Sequence, residues 1–339
     1  MSTIIAIASG KGGVGKTFVT ATLSLALQRQ GYHVLAVDAD MGLRNLDLLF
    51  GMQDEVLYDI GDVMKKRCHP QEAVLHVTEG LDFMAASQKH TWEKIDAPTY
   101  QYIVETLAKP YDFTIVDCPP GRGRAYKNAV SIVDRIFFVV EPTWSSMRDT
   151  ARLMQFCNKH KRFNYDVLFN NFYRKDPGYV AVEEMMQLLN PEHVAGVLPH
   201  DPTVHEAAQR GTLCDVVNTE PLFQALAKTV TYLQDGTSPD IASLLPLLPE
   251  REALLGVTSP AAPEVDTTDT EELGNLGKMK ALAAAELEKA AAIWNGTAAP
   301  LPATEDLDDE EEEMECIVQP RLSLRNRKQQ SMAWRHYRR

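Results

Sequence analysis

One stretch constrains this chain more than any other. Ile4-Ile5-Ala6-Ile7-Ala8 reads as a buried strand and Val19 to Leu27 as the body of a helix. Between them lies Ser9-Gly-Lys-Gly-Gly-Val-Gly-Lys-Thr-Phe18. Gly10 to Thr17 fits the pattern G-x-x-x-x-G-K-[ST] in the strand–loop–helix context that gives it meaning. Gly10, Gly12, Gly13 and Gly15 let backbone N–H groups curl around phosphate oxygens with no Cβ in the way. Lys11 and Val14 fill the variable positions of that cradle. The helix that follows presents its positive dipole end. Lys16 is placed to reach the outer phosphates, the Thr17 hydroxyl to ligate Mg²⁺, and Phe18 to offer its backbone N–H.

The first two-thirds of the chain alternates short apolar runs with amphipathic stretches. The runs predict strands over Ile4–Ala8, Val34–Val37, Leu81–Ala85, Phe113–Val116, Ile136–Val140, Val167–Phe169 and Val194–Val197. The stretches predict helices over Thr17–Gln30, Asp59–Arg67, Thr99–Ala108, Arg124–Ser131, Ser146–His160, Ala181–Leu189 and Pro221–Gln234. Continuous Val/Ile/Leu/Phe runs mark strands buried on both faces. The alternation predicts an α/β fold with a mostly parallel, twisted sheet and helices on both faces. Ligands in such sheets bind at the carboxyl ends of the strands, where the glycine loop already lies.

Two further strand ends carry carboxylates. Val37-Asp38-Ala39-Asp40 places Asp38 and Asp40 beside the loop, where a carboxylate can hold Mg²⁺ or orient a water. An Asp pair that caps the next helix is the alternative reading. Ile115-Val116-Asp117-Cys118-Pro119-Pro120-Gly121 ends an apolar strand in Asp117, aimed at the metal, and continues into a restrained loop suited to sensing a γ-phosphate. Cys118 has no catalytic histidine to pair with and reads as packing.

Composition bounds the rest. A net charge of −13 and a pI near 5.2 argue against nonspecific binding to nucleic acid. Five widely spaced cysteines, without a C-x-x-C pair or a secretory leader, predict a reduced, cytoplasmic protein. No apolar run approaches the roughly 20 residues that span a bilayer. Residues 1–236 read as one domain and 237–304 as a low-complexity linker with a helix over 276–294. Residues 305–315 are an acidic run, and 316–339 a basic tail carrying Arg321, Arg325, Arg327, Lys328, Arg335, Arg338 and Arg339. Trp334 and Tyr337 suit a membrane interface, which would place the protein peripherally on the inner face of the cell membrane. A tail folded back on the acidic run, or one that binds nucleic acid, stays open beside that reading.

These motifs resemble the ParA/MinD family of P-loop ATPases. Lys11-Gly-Gly-Val-Gly-Lys-Thr17 is similar to the family's deviant Walker A loop, which carries an extra lysine. Asp38-Ala-Asp-Met-Gly-Leu-Arg-Asn-Leu-Asp47 resembles the MinD branch, as do Ala86-Ser87-Gln88 and Ser146-Met147-Arg148-Asp149; the likeness covers roughly residues 2–234. It implies ATP and Mg²⁺ as ligands and a nucleotide-sandwich homodimer, in which Lys11 reaches the partner's phosphates. It further implies that Asp40 positions the attacking water, that Asp38 and Asp117 support the metal, and that Asn170 reads adenine with Pro199 and Asp201 near the base. Two positions depart from the pattern. Phe18 replaces the usual second threonine, and Thr143 stands where glutamate is common. The implied activity is ATP hydrolysis in a division-site-placing switch, with MinC-like and MinE-like partners near Arg44 and Arg148–Asp149. A weakly hydrolysing scaffold that positions a flagellar, pilus or chromosomal cargo is the alternative.

Overall fold

The computed structural model describes residues 2–160, 164–174 and 180–250; the expected helix over 276–294, the acidic run and the basic tail lie outside the described residues. In chain order the elements begin β1 (Thr3–Ala8), α1 (Lys16–Arg29), β2 (Val34–Asp38), α2 (Leu46–Phe50), α3 (Ile60–Met64), β3 (Val74–Thr78), β4 (Leu81–Met84), α4 (Ala97–Ala108) and β5 (Phe113–Asp117). They continue α5 (Arg124–Ala129), β6 (Arg135–Val140), α6 (Trp144–Lys159), β7 (Tyr165–Phe172), α7 (Val182–Leu189), β8 (Val194–Pro199), α8 (Pro202–Arg210), α9 (Pro221–Asp235) and α10 (Ile241–Leu244).

One eight-stranded sheet runs β3-β4-β2-β5-β1-β6-β7-β8. Only β3 is antiparallel to its neighbour. The central strands are buried along nearly their whole length, which is why they read as unbroken apolar runs. Side chains such as Ile5, Ile7, Phe137 and Phe138 are fully enclosed. Each contributes about 1.5–3 kcal/mol of transfer free energy. From β1 the chain steps to β2 in one direction, whereas β5 leads to β6 in the other. With right-handed crossovers, the two directions put α1 on one face and α4 to α7 on the opposite one. The reversal makes the carboxyl end of β1 a topological switch point, and the glycine loop begins there.

Helix α4 shows how the sequence writes its elements. Asp96 caps it by accepting from the Thr99 amide at 2.9 Å, and Pro98 sits in its first turn. Tyr100, Ile103, Val104 and Leu107 then recur at helical spacing and are all buried.

The expected strands and long helices are present, with ends shifted by a few residues. Strand β3 and helices α2, α8 and α10 were not expected. Residues 237–250, assigned to a linker, instead carry α10 and pack Leu244 and Leu248 into the core. The compact part therefore continues past Gly236.

Candidate phosphate-binding site

The loop after β1 is shaped by close approach. Gly15 has φ +86°, and a Cβ there would meet Asn170 Nδ2 at 2.6 Å. Gly10 lies so near α6 that its Cβ would fall 2.6 Å from the Asp149 carbonyl. Neither position tolerates a side chain without movement of backbone or of a buried amide. Helix α1 starts directly after Gly15 with no side-chain cap and no acid in its first turn. Its first N–H groups are thus left for an anion.

Three carboxylates and one lysine face this turn. Strands β1, β2 and β5 end in register, with Ile7 opposite Asp117 and Asp117 opposite Asp38. Lys16 is buried, with its ammonium close enough to draw down both Asp40 and Asp117. Asp117 accepts from Thr20 Oγ1 at 3.5 Å, and the nearby Thr17 hydroxyl draws its carboxyl down. Burial pushes its carboxyl up to about 7 against those pulls. Burial also raises half-buried Asp40. This surplus of negative charge fits a divalent cation. Among the described residues no three His, Cys, Asp or Glu side chains are grouped to hold a metal unaided. Mg²⁺ here would depend on Thr17, Asp117, water and phosphate oxygens, as it commonly does at phosphate sites.

Asp38 has a structural role beside the expected one. Its Oδ1 accepts from the Asp40 amide at 2.9 Å, and its Oδ2 from the amides of Asn45 and Leu46 at 3.1 and 3.2 Å. It is fully buried, and burial followed by Asp117 raises its carboxyl well above the usual range. Three amide hydrogen bonds thus use it to fold the loop that carries Asp40. That loop is pinned again where Gly42 donates to the Ser87 carbonyl at 2.7 Å and Trp92 Nε1 to the Ala39 carbonyl at 2.9 Å. Arg44 adopts φ 54° and turns its guanidinium inward, 2.7 Å from Asp47 and only 13% exposed.

The residues expected around the base are also committed. Asn170 is buried and donates to the Val14 carbonyl at 3.0 Å, bracing the loop from below. Its Oδ1 is enclosed without a partner. Pro199 ends β8 and is buried. Asp201 caps α8 by accepting from the Val204 amide and caps α9 by accepting from Leu222, both at 3.2 Å. Beside these residues stands a column of rings that the sequence did not reveal. Phe18 stacks on His205 at 4.3 Å, His205 lies 4.7 Å from His200, and His200 lies 4.9 Å from Tyr173. Phe18 is thus a buried packing residue. Thr143 likewise serves its own helix, capping α6 by accepting from the Ser146 amide at 3.3 Å.

Comparison with known proteins agrees with this geometry. Residues 5–214 match the CobQ/CobB/MinD/ParA nucleotide binding domain. The septum site-determining protein MinD of Helicobacter pylori is 32% identical over 226 residues, covering 62% of this chain and 83% of that protein. The Bacillus subtilis MinD is 33% identical over 218 residues, covering 62% and 81%. Among solved structures, MinD in the MinC:MinD cell division complex of Aquifex aeolicus superposes with a TM-score of 0.64 at 32% identity, over 70% of this chain and 98% of that one. The Pyrococcus horikoshii MinD complexed with Mg-ADP gives 0.62 at 27% identity, over 72% and 99%. No described helix is long and apolar enough to cross a membrane. The chain belongs to the ParA/MinD family of nucleotide-binding proteins, among relatives that determine the septum site.

Proposed function

We propose that this chain is an ATP-driven switch that hydrolyses ATP to ADP and phosphate, pairs with a second copy while ATP is bound, and in that form holds a membrane surface to place the division site. The observation that carries the reading is buried Lys16 at the uncapped start of α1, with buried Asp117 at the end of β5 within its field. Bound Mg²⁺ would neutralise triphosphate charge and polarise the γ-phosphoryl group. The chain's own groups do the rest. The loop amides and the start of α1 bind phosphate oxygens, and Lys16 offsets charge on the outer ones. Asp40, within the field of Lys16, orients a water toward the γ-phosphorus. Lys11 supplies a second cation across the pair, in the manner of an arginine finger. Asp38 holds the Asp40 loop in shape and supports the metal through water.

A MinC-like partner is proposed because one similar structure is a MinC:MinD complex. A MinE-like partner and an anionic membrane contact through residues 321–339 rest on the family resemblance. The test is phosphate release by the full chain with ATP and Mg²⁺. Lys11→Ala and Lys16→Ala should each lower turnover by about 10²-fold or more, as loss of a charge-stabilising donor does. Undiminished turnover in both variants refutes the reading. Liposome sedimentation of the full chain against one truncated at Glu315 tests the tail, and equal ATP-dependent pelleting would remove it as the anchor.

A further inference from the structure

The peptide unit between Ala39 and Asp40 is held at both ends. Its N–H, the Asp40 amide, donates to Asp38 Oδ1 at 2.9 Å. Its carbonyl, that of Ala39, accepts from Trp92 Nε1 at 2.9 Å and from the Met41 amide at 3.0 Å. One residue earlier, the Ala39 amide donates to the Asp117 carbonyl at 2.9 Å. After Asp40 the chain turns, and the amides of Leu43 and Arg44 donate to the Asp40 carbonyl at 3.2 and 3.3 Å. Of the bonds to the Ala39–Asp40 unit, only the one from Trp92 comes from outside β2 and the loop itself.

Trp92 is placed to do this by its own surroundings. It is buried, and its ring meets that of fully enclosed Tyr100 in α4 edge-on, at 4.9 Å and 71°. The segment that leads to it from the end of β4 is tied down as well. The Ser87 carbonyl accepts from the Gly42 amide at 2.7 Å, and the Ser87 hydroxyl pairs with His90 Nδ1 at 2.9 Å. Lys65 Nζ donates to the other nitrogen of that ring. An ammonium is a donor only, so His90 Nε2 accepts and Nδ1 carries the proton. An indole N–H is likewise a donor only, and a buried one needs an acceptor. Tryptophan is thus the residue type that can both fill the space against α4 and present a donor at its rim to the Ala39 carbonyl.

We propose that Trp92 is a positioning residue for Asp40: through the Ala39 carbonyl its indole N–H sets the peptide plane from which the carboxylate reaches the attacking water. This rests on the reading that Asp40 orients that water. Asp38 fixes the amide end of the plane, but a plane fixed at one end can still tilt. A misplacement of about 1 Å in a group that orients a reactant can cost about 10²-fold in rate. The Met41 amide stays on the Ala39 carbonyl and limits the tilt, so the loss expected without the indole N–H is about tenfold. Lys16 and the phosphate loop follow β1, on separate backbone, so nucleotide affinity is left as it is.

The first test uses the nucleotide-free full chain and does not depend on turnover. Amide hydrogen exchange of residues 39–44, taken as a ratio to that of β6, should rise about fivefold in Trp92→Phe. 3-Benzothienylalanine at position 92 keeps the shape of the indole and lacks its N–H, and it should raise the ratio equally. An unchanged ratio in either variant overturns the proposal, including one in which both segments exchange faster to the same degree. The second test is steady-state phosphate release with ATP and Mg²⁺. Trp92→Phe should lower kcat about tenfold and leave KM within about twofold. In an Asp40→Asn background the same change should cost less than about twofold, because the carboxylate that the plane aims is gone. An equal loss in both backgrounds, or no loss with Asp40 present, overturns the proposal. If Asp40→Asn alone leaves turnover intact, the water-orienting reading fails, while the exchange ratio still decides whether Trp92 holds the loop.

Discussion

Phe18→Thr sets two effects against each other, and their sizes decide the outcome. The substitution restores the hydroxyl that the family usually carries at this position. One added hydrogen bond to an α-phosphate is worth about 1 kcal/mol net, roughly fivefold in affinity. The cost is structural. The Phe18 ring is 8% exposed and stacks on His205 at an interplanar angle of 23°. Truncating a buried phenylalanine to alanine costs about 3–5 kcal/mol, and threonine recovers only part of that volume, so a loss of about 3 kcal/mol is expected. In a domain of this size that lowers the thermal midpoint by about 6–12 °C. The stability loss therefore outweighs the binding gain even with nucleotide present. Urea unfolding followed by tryptophan fluorescence, with and without ATP and Mg²⁺, measures the first number, and equilibrium nucleotide titration measures the second. A stability change below about 1 kcal/mol would show that the ring does not tie α1 to α8, and the packing argument would fail. Removing His205 as well should cost less than the sum of the two single changes, because both act on one contact.

Three other outcomes follow from the same geometry. Gly15→Ala forces a left-handed alanine, costing about 1–2 kcal/mol, and drives a Cβ into the Asn170 amide that braces Val14; nucleotide binding measured by calorimetry should fall at least tenfold. Thr143→Ala removes the cap of α6 and should cost about 1 kcal/mol in urea unfolding. Burial lifts Asp117 to about 7, against the pull of Thr17 and Lys16. The folded chain then holds a proton that the unfolded chain releases near pH 4, so stability of the nucleotide-free protein should fall as pH rises from about 4 to 7. Asp117→Asn should flatten that slope in thermal midpoints taken across the window, and an unaltered slope would show that Asp117 does not carry it.

What could be read from the chain, and what could not, divides along a physical line. Strands β1, β2, β5 and β6 were legible because burial on both faces leaves one composition, an unbroken apolar run. Strand β3 was not, because as an antiparallel edge its residues are only half covered and His76 is exposed within it. Helix α8 does carry a signal, Asp201 before Pro202, a cap followed by a first-turn proline. Its apolar face is too thin to add a second one, since only Val204 and Ala208 are buried. The phosphate loop was legible because it works through its own backbone, and the glycines that permit this are neighbours in sequence. Side-chain roles are another matter. Asp38 reads as metal support at a strand end, and nothing local shows that three amides of the loop folding back over it also bind its oxygens. Phe18 reads as a lost hydroxyl until His205 is found against it. Lys11 shows the division within one residue. Its presence in the loop can be read locally and points to a second subunit, but where its ammonium rests depends on Ser145 of α6, far along the chain. A backbone site can therefore be recognised from a few adjacent residues, whereas the resting state of its side chains is decided by whatever the fold brings beside them.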